Sequence, residues 1–76
     1  MSNIPIITGK NLISKLLKSG YIILRTKGSH VFLTHTKYPK RSAVVPNTPK
    51  DLPLGTLSSI KKQLKLSKEE FIKLLS

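Results

Sequence analysis

Residues 21–36 read YIILRTKGSHVFLTHT, and this stretch limits the fold more than any other part of the chain. It is dense in β-branched, aliphatic and aromatic side chains, which fit a pleated, half-buried surface. Gly28-Ser29 breaks it near the middle. Glycine at the first of two central positions suits a type II′ turn, so the run is predicted to fold back on itself as a hairpin. A two-residue loop then sets the register: Lys27 opposes His30, Thr26 opposes Val31 and Arg25 opposes Phe32. Side chains alternate between faces along a strand. One face is therefore expected to hold Ile22, Leu24, Thr26, Val31, Leu33 and His35. The other is expected to hold Tyr21, Ile23, Arg25, Lys27, His30, Phe32 and Thr34. The first set is the more apolar and reads as the core face. The second set has two cations, a histidine and two aromatics, and reads as the open face.

The rest of the chain supplies what the hairpin must pack against. In TGKNLISKLLKSG, residues 8–20, Leu12, Ile13, Leu16 and Leu17 recur at helical spacing and form one stripe. Thr8 can cap the start of this helix, and Gly20 can end it in a left-handed conformation. A third short strand is expected at RSAVV, residues 41–45, after a KYPK turn and stopped by Pro46. PNTPKDLPLG, residues 46–55, contains three prolines and a glycine and reads as a rigid loop. From Thr56 a second helix is predicted, with Leu57, Ile60 and Leu64 on its inner side. Ser67 and Glu70 make a capping box, and Leu66 and Phe71 a hydrophobic staple, opening a short helix from Lys68 to about Leu75. The order helix, three strands, helix, short helix predicts an α+β fold in one domain over residues 1–76. It is a three-stranded antiparallel sheet with the helices on one face.

Charge narrows the function. Fourteen Lys and Arg stand against 3 Asp and Glu, a formal net charge of +11. Self-repulsion of that size points to a polyanionic partner. There are no cysteines, hence no disulfide framework and no thiolate zinc site, and a cytoplasmic setting is expected. With so few acids, neither a metal nor another cofactor is expected to take part. No apolar run approaches the roughly 20 residues that cross a bilayer, so no membrane partner is expected. MSNIPIITGK has no positive leader ahead of a long apolar stretch, and no secretory signal is expected there.

The mixed open face suits RNA, since cations neutralise phosphates and aromatics stack on bases. Arg25, Lys27, Ser29 and Phe32 are the candidate RNA contacts, and His30 is the candidate for chemistry. His35 lies five residues on, so in a regular strand it points to the opposite face and cannot pair with His30 on one phosphate. Without a metal, the available reaction is attack by the ribose 2′-hydroxyl on its own phosphodiester. His30 could serve as base or acid, with Arg25 or Lys27 stabilising the charge that develops. The residues alone leave a second reading open: a turn-side histidine with no chemistry, in an RNA-binding domain that does not cut.

Four pieces occur in order along the chain: Gly28-Ser29-His30, the proline loop leading to Gly55-Thr56-Leu57, Lys62-Gln63 in the following helix, and Ser67 to Phe71. From about Gly9 to Leu75 the sequence resembles the HicA family of toxin–antitoxin systems. The resemblance implies a double-stranded-RNA-binding-like α-β-β-β-α fold and an mRNA interferase that cleaves RNA without the ribosome. It implies that the histidine of G-S-H, here His30, is catalytic. It also implies a HicB-type antitoxin as protein partner, covering the active face of a toxin that is monomeric by itself. Two positions depart from the family pattern. Many relatives have a histidine two residues after the proline that ends the third strand, where this chain has Thr48. Lys61 stands where an apolar residue usually precedes the lysine of K-Q.

Overall fold

The computed structural model describes residues 4–76; of the stretch read above as lacking a leader, Met1 to Asn3 lie outside the described residues. Six elements follow in order: α1 Gly9–Lys18, β1 Tyr21–Lys27, β2 His30–His35, β3 Ser42–Pro46, α2 Leu54–Gln63 and α3 Lys68–Leu75. The strands form one antiparallel sheet in the order β1-β2-β3, so β2 is central. The fold is α+β, as expected, with the three helices and a single apolar core on one side of the sheet.

The local signals act as the residue types dictate. Thr8 caps α1, its hydroxyl accepting the Asn11 N–H at 3.1 Å, and Gly20 just past the helix has φ 92°. Gly28 has φ 59°. Lys65 is the non-glycine with positive φ among the described residues, so Ser29 is not left-handed, which matches a type II′ turn. Ser67 and Glu70 complete the capping box of α3: Glu70 N–H donates to Ser67 Oγ at 3.1 Å and Ser67 N–H to Glu70 Oε1 at 2.8 Å. Leu66 and Phe71, the staple pair, are both buried.

Three sequence expectations need correction. Leu17 is 45% exposed, because it sits one position beyond Leu16 and is turned away from the buried stripe of Leu12, Ile13 and Leu16. Helix α2 begins at Leu54 rather than Thr56, with Leu57 N–H donating to the Pro53 carbonyl at 3.0 Å. The third concerns the faces of the hairpin. Lys27 opposes His30, Thr26 opposes Val31 and Arg25 opposes Phe32, as derived from the turn. The register then slips: Ile23 opposes Leu33, so Leu24 is an extra residue in a β-bulge. Beyond it the alternation inverts. Tyr21, expected on the open face, is buried at 4% exposure, whereas Ile22 and Leu24, expected in the core, are 47% and 61% exposed.

The core face of the sheet presents Val31, Leu33, Ala43 and Val45 to Leu12 and Leu16 of α1, Leu57 and Ile60 of α2, and Phe71 of α3. Ile4, Ile7 and Leu52 extend this core beyond the regular elements. The segment before α1 and the proline loop run side by side there, with Leu52 N–H donating to the Ile7 carbonyl at 2.9 Å. Gly9 makes that approach possible: a methyl group on it would overlap the Pro46 carbonyl oxygen. On the outer edge of β3, Gln63 of α2 accepts the Val44 N–H through Oε1 at 3.0 Å. That bond satisfies a donor an edge strand otherwise leaves open.

Candidate functional site

Facing residues on three adjacent strands define the open face in rows. The row next to the turn is Lys27, His30 and Pro46. The second is Arg25, Phe32 and Val44, and the third is Ile22, Thr34 and Ser42. Directly opposed residues on one face hold their Cβ atoms about 4.5–5.5 Å apart. His30 therefore stands beside Lys27, exposed, at the start of the central strand. Ser29, also exposed, is fixed through its backbone: its carbonyl accepts the Asn47 N–H at 2.6 Å, tying the hairpin turn to the end of β3. Phe32 is half-buried, and the Arg25 guanidinium lies over its ring with Cζ 4.4 Å from the centroid. This is a cation–π contact. Leu24, displaced by the bulge, lines a shallow depression of about 130 Å³ with Phe32, Val44 and Gln63. The five candidate residues from the sequence, Arg25, Lys27, Ser29, His30 and Phe32, thus fall in adjoining rows on and beside the turn.

His35 is built into the fold instead. It opposes Tyr21 at the far end of β2, on the helix side, and their rings meet edge to face with centroids 4.8 Å apart. Its Nδ1 accepts the Lys37 and Tyr38 N–H groups at 3.0 and 3.3 Å. Two donors at Nδ1 place the ring proton of the neutral form on Nε2. Burial pushes the Tyr21 phenol above its ordinary range, partly offset by the nearby positive charge of Arg41. Thr48 is committed to the loop: its hydroxyl accepts the Lys50 N–H at 3.2 Å and its carbonyl accepts the Lys10 N–H at 3.0 Å. At this position the side chain braces backbone. Among the described residues, no group of three or more His, Cys, Asp or Glu is placed to hold a metal ion. No described helix is long and apolar enough to cross a membrane.

Sequence reasoning missed the two apolar side chains, Ile22 and Leu24, that the bulge delivers to this face. A signal was present: Ile22, Ile23 and Leu24 are three apolar residues in a row, which simple alternation cannot accommodate. It also missed the grouping of Tyr38 with Arg41 beyond the end of β2, where the guanidinium Cζ lies 5.1 Å from the ring centroid.

The fold and face together define a small basic α+β domain with an exposed histidine among cations on an uncovered sheet. Comparison with family models agrees with that class. Residues 9–66 match the family described as "HicA toxin of bacterial toxin-antitoxin". The chain belongs to this family and is a toxin of the toxin–antitoxin type, which pairs with an antitoxin. No curated protein matches the chain.

Proposed function

We propose that the protein is an endoribonuclease, an mRNA interferase, and that His30 transfers the proton in cleavage without a metal. The observation that carries this reading is the position of His30. It is exposed on the central strand with Lys27 opposite, and Arg25 and Phe32 make the next row. The ribose 2′-hydroxyl attacks the adjoining phosphorus, the P–O5′ bond breaks, and the 2′-proton and the leaving 5′-oxygen each need a proton-transfer group. His30 supplies one of them. Lys27 and Arg25 stabilise the negative phosphorane. Phe32 offers a ring to a base once Arg25 moves onto phosphate. Ser29 contributes at the turn.

The same face suits the second partner. Exposed Ile22 and Leu24 beside a row of cations form an apolar patch with a charged rim, the makeup of a protein interface. A HicB-type antitoxin covering it would shield His30 directly. A competing reading, an RNA-binding domain that does not cut, draws on Thr48, since the loop there carries no second imidazole. End-group analysis of products separates these readings. Cleavage leaving 2′,3′-cyclic phosphate and 5′-hydroxyl ends is the expected result. A 3′-hydroxyl product contradicts the mechanism, and intact RNA at all protein concentrations supports the binding domain.

A further inference from the structure

The far end of the sheet from His30 carries a second cationic site. At its centre is Tyr38, 54% exposed, with Arg41 beside its ring. Lys37, Lys40 and Lys65 join them around an open depression of about 420 Å³. The tyrosine is held firmly for a loop residue. Its ring packs on His35 with centroids 5.0 Å apart, and its N–H bonds to His35 Nδ1. Arg41 N–H donates to the Tyr38 carbonyl at 2.8 Å, and the Ser42 hydroxyl donates to the Pro39 carbonyl at 2.7 Å. Glu70, close enough to feel the charge of Arg41, has its carboxylate turned back onto the Ser67 N–H.

Lys65 adds an independent observation. It sits just past α2 with φ 56°, the left-handed conformation that glycine usually takes at this point. Lys65 N–H donates to the Lys62 carbonyl at 3.1 Å and Leu66 N–H to the Lys61 carbonyl at 3.3 Å, which is the Schellman pattern. The backbone therefore favours glycine, and a side chain there is strained. The side chain that bears the strain lines the basic depression. Strain of this kind concentrates where a side chain has work to do.

We propose that Tyr38, Arg41 and Lys65 form a second site for single-stranded RNA, where a base stacks on Tyr38 and the adjoining phosphate is held by Arg41 and Lys65. The identity of the polyanion rests on the reading of the open face as RNA-binding. With about 3.3 Å of rise per residue, the two ends of β2 are about 16 Å apart. The Tyr38 site lies at that far end and toward the helix side, where Tyr38 packs on His35, so it is separate from the His30 row. An acidic protein segment would answer the charge but stacks on the exposed ring only where an aromatic or arginine side chain happens to fall, whereas every base of a single strand has a flat face.

The test is fluorescence anisotropy of the wild-type protein with a labelled single strand of about 12 nucleotides, a length within the range of such sites. The strand is 2′-O-methylated so that it stays whole. Tyr38→Ala is expected to weaken binding about 10-fold, the loss of one stacked base, and Tyr38→Phe to retain it. Lys65→Gly is expected to raise Tm by about 2–5 °C while weakening binding about 3–10-fold. That opposition of stability and affinity is what a purely structural residue would not produce. Unchanged affinity in Tyr38→Ala or Lys65→Gly overturns the site, and so does a fall in Tm for Lys65→Gly. Competition by polyglutamate that matches RNA and depends on the same residues assigns the site to an acidic protein and overturns the RNA proposal. Failure of the His30 reading has its own readout, in cleavage of ordinary RNA, and leaves these affinities interpretable.

Discussion

Two glycines show how differently single positions constrain this chain. A methyl group at Gly9 would overlap the Pro46 carbonyl oxygen and stand 3.0 Å from the Thr48 amide nitrogen, both backbone atoms that cannot swing aside. Gly9→Ala is expected to cost about 1–3 kcal/mol in urea denaturation, the range for overpacking. Gly55, in the first turn of α2, has nothing within 4 Å of the same added group. Gly55→Ala is expected to stabilise by about 0.4–1 kcal/mol, mainly by restricting the unfolded chain. Gly20 and Gly28 were legible in the sequence because a turn's need for positive φ is a local matter. Gly9 was not legible, since its constraint comes from a strand end distant along the chain. The direction of His30 was legible for the local reason too: the tight turn fixes the three facing pairs next to it. The role of Thr48 was not, because only the fold shows that its hydroxyl is taken by Lys50 N–H.

At the level of elements, the bulge at Leu24 decides which residues reach the open face. Deleting Leu24 would restore simple alternation and leave Tyr21 and Ile22 on the faces they hold, since their partners His35 and Thr34 are set in a register that does not include the extra residue. Because Leu24 is exposed and Tyr21 keeps its buried site, the deletion is expected to change stability by only about 0.5 kcal/mol, read by urea denaturation. A large fall in the midpoint would mean that the bulge itself is needed to seat Tyr21 in the core. Helix ends behave more simply. Ser67→Ala removes one half of the capping box and is expected to cost about 1 kcal/mol. Caps, staple, strand number and antiparallel order were all readable, since each depends on spacings of a few residues. The bulge was not, because two apolar faces compete for Ile22, Ile23 and Leu24, and packing against the helices settles the contest. Docking of Ile4, Ile7 and Leu52 was hidden likewise, in segments with no periodicity to read.

For the whole molecule, charge is the dominant property. A net charge of +11 on 76 residues works against compactness, so Tm is expected to rise with added salt as self-repulsion is screened. RNA affinity should fall over the same range, through counterion release. If both moved in the same direction, the view that these cations are kept for a polyanion would fail. Acid acts through the few carboxylates. The Ser67 backbone and side-chain hydrogen bonds hold Glu70 below its ordinary range. A carboxylate with a lowered pKa contributes stability above its unfolded value, and loses it as pH falls through the folded one. Glu70→Ala should therefore narrow the stability gap between neutral and acid conditions in thermal melts. The chemistry proposed for this surface depends on one side chain, His30. Purified wild type and His30→Ala, each incubated with RNA and a metal chelator, test it most directly. Wild type is expected to cleave with chelator present, and His30→Ala to be slower by about 10²–10⁴-fold while its Tm is unchanged. Equal cleavage by the two proteins, or cleavage by the wild type that the chelator abolishes, would contradict that chemistry.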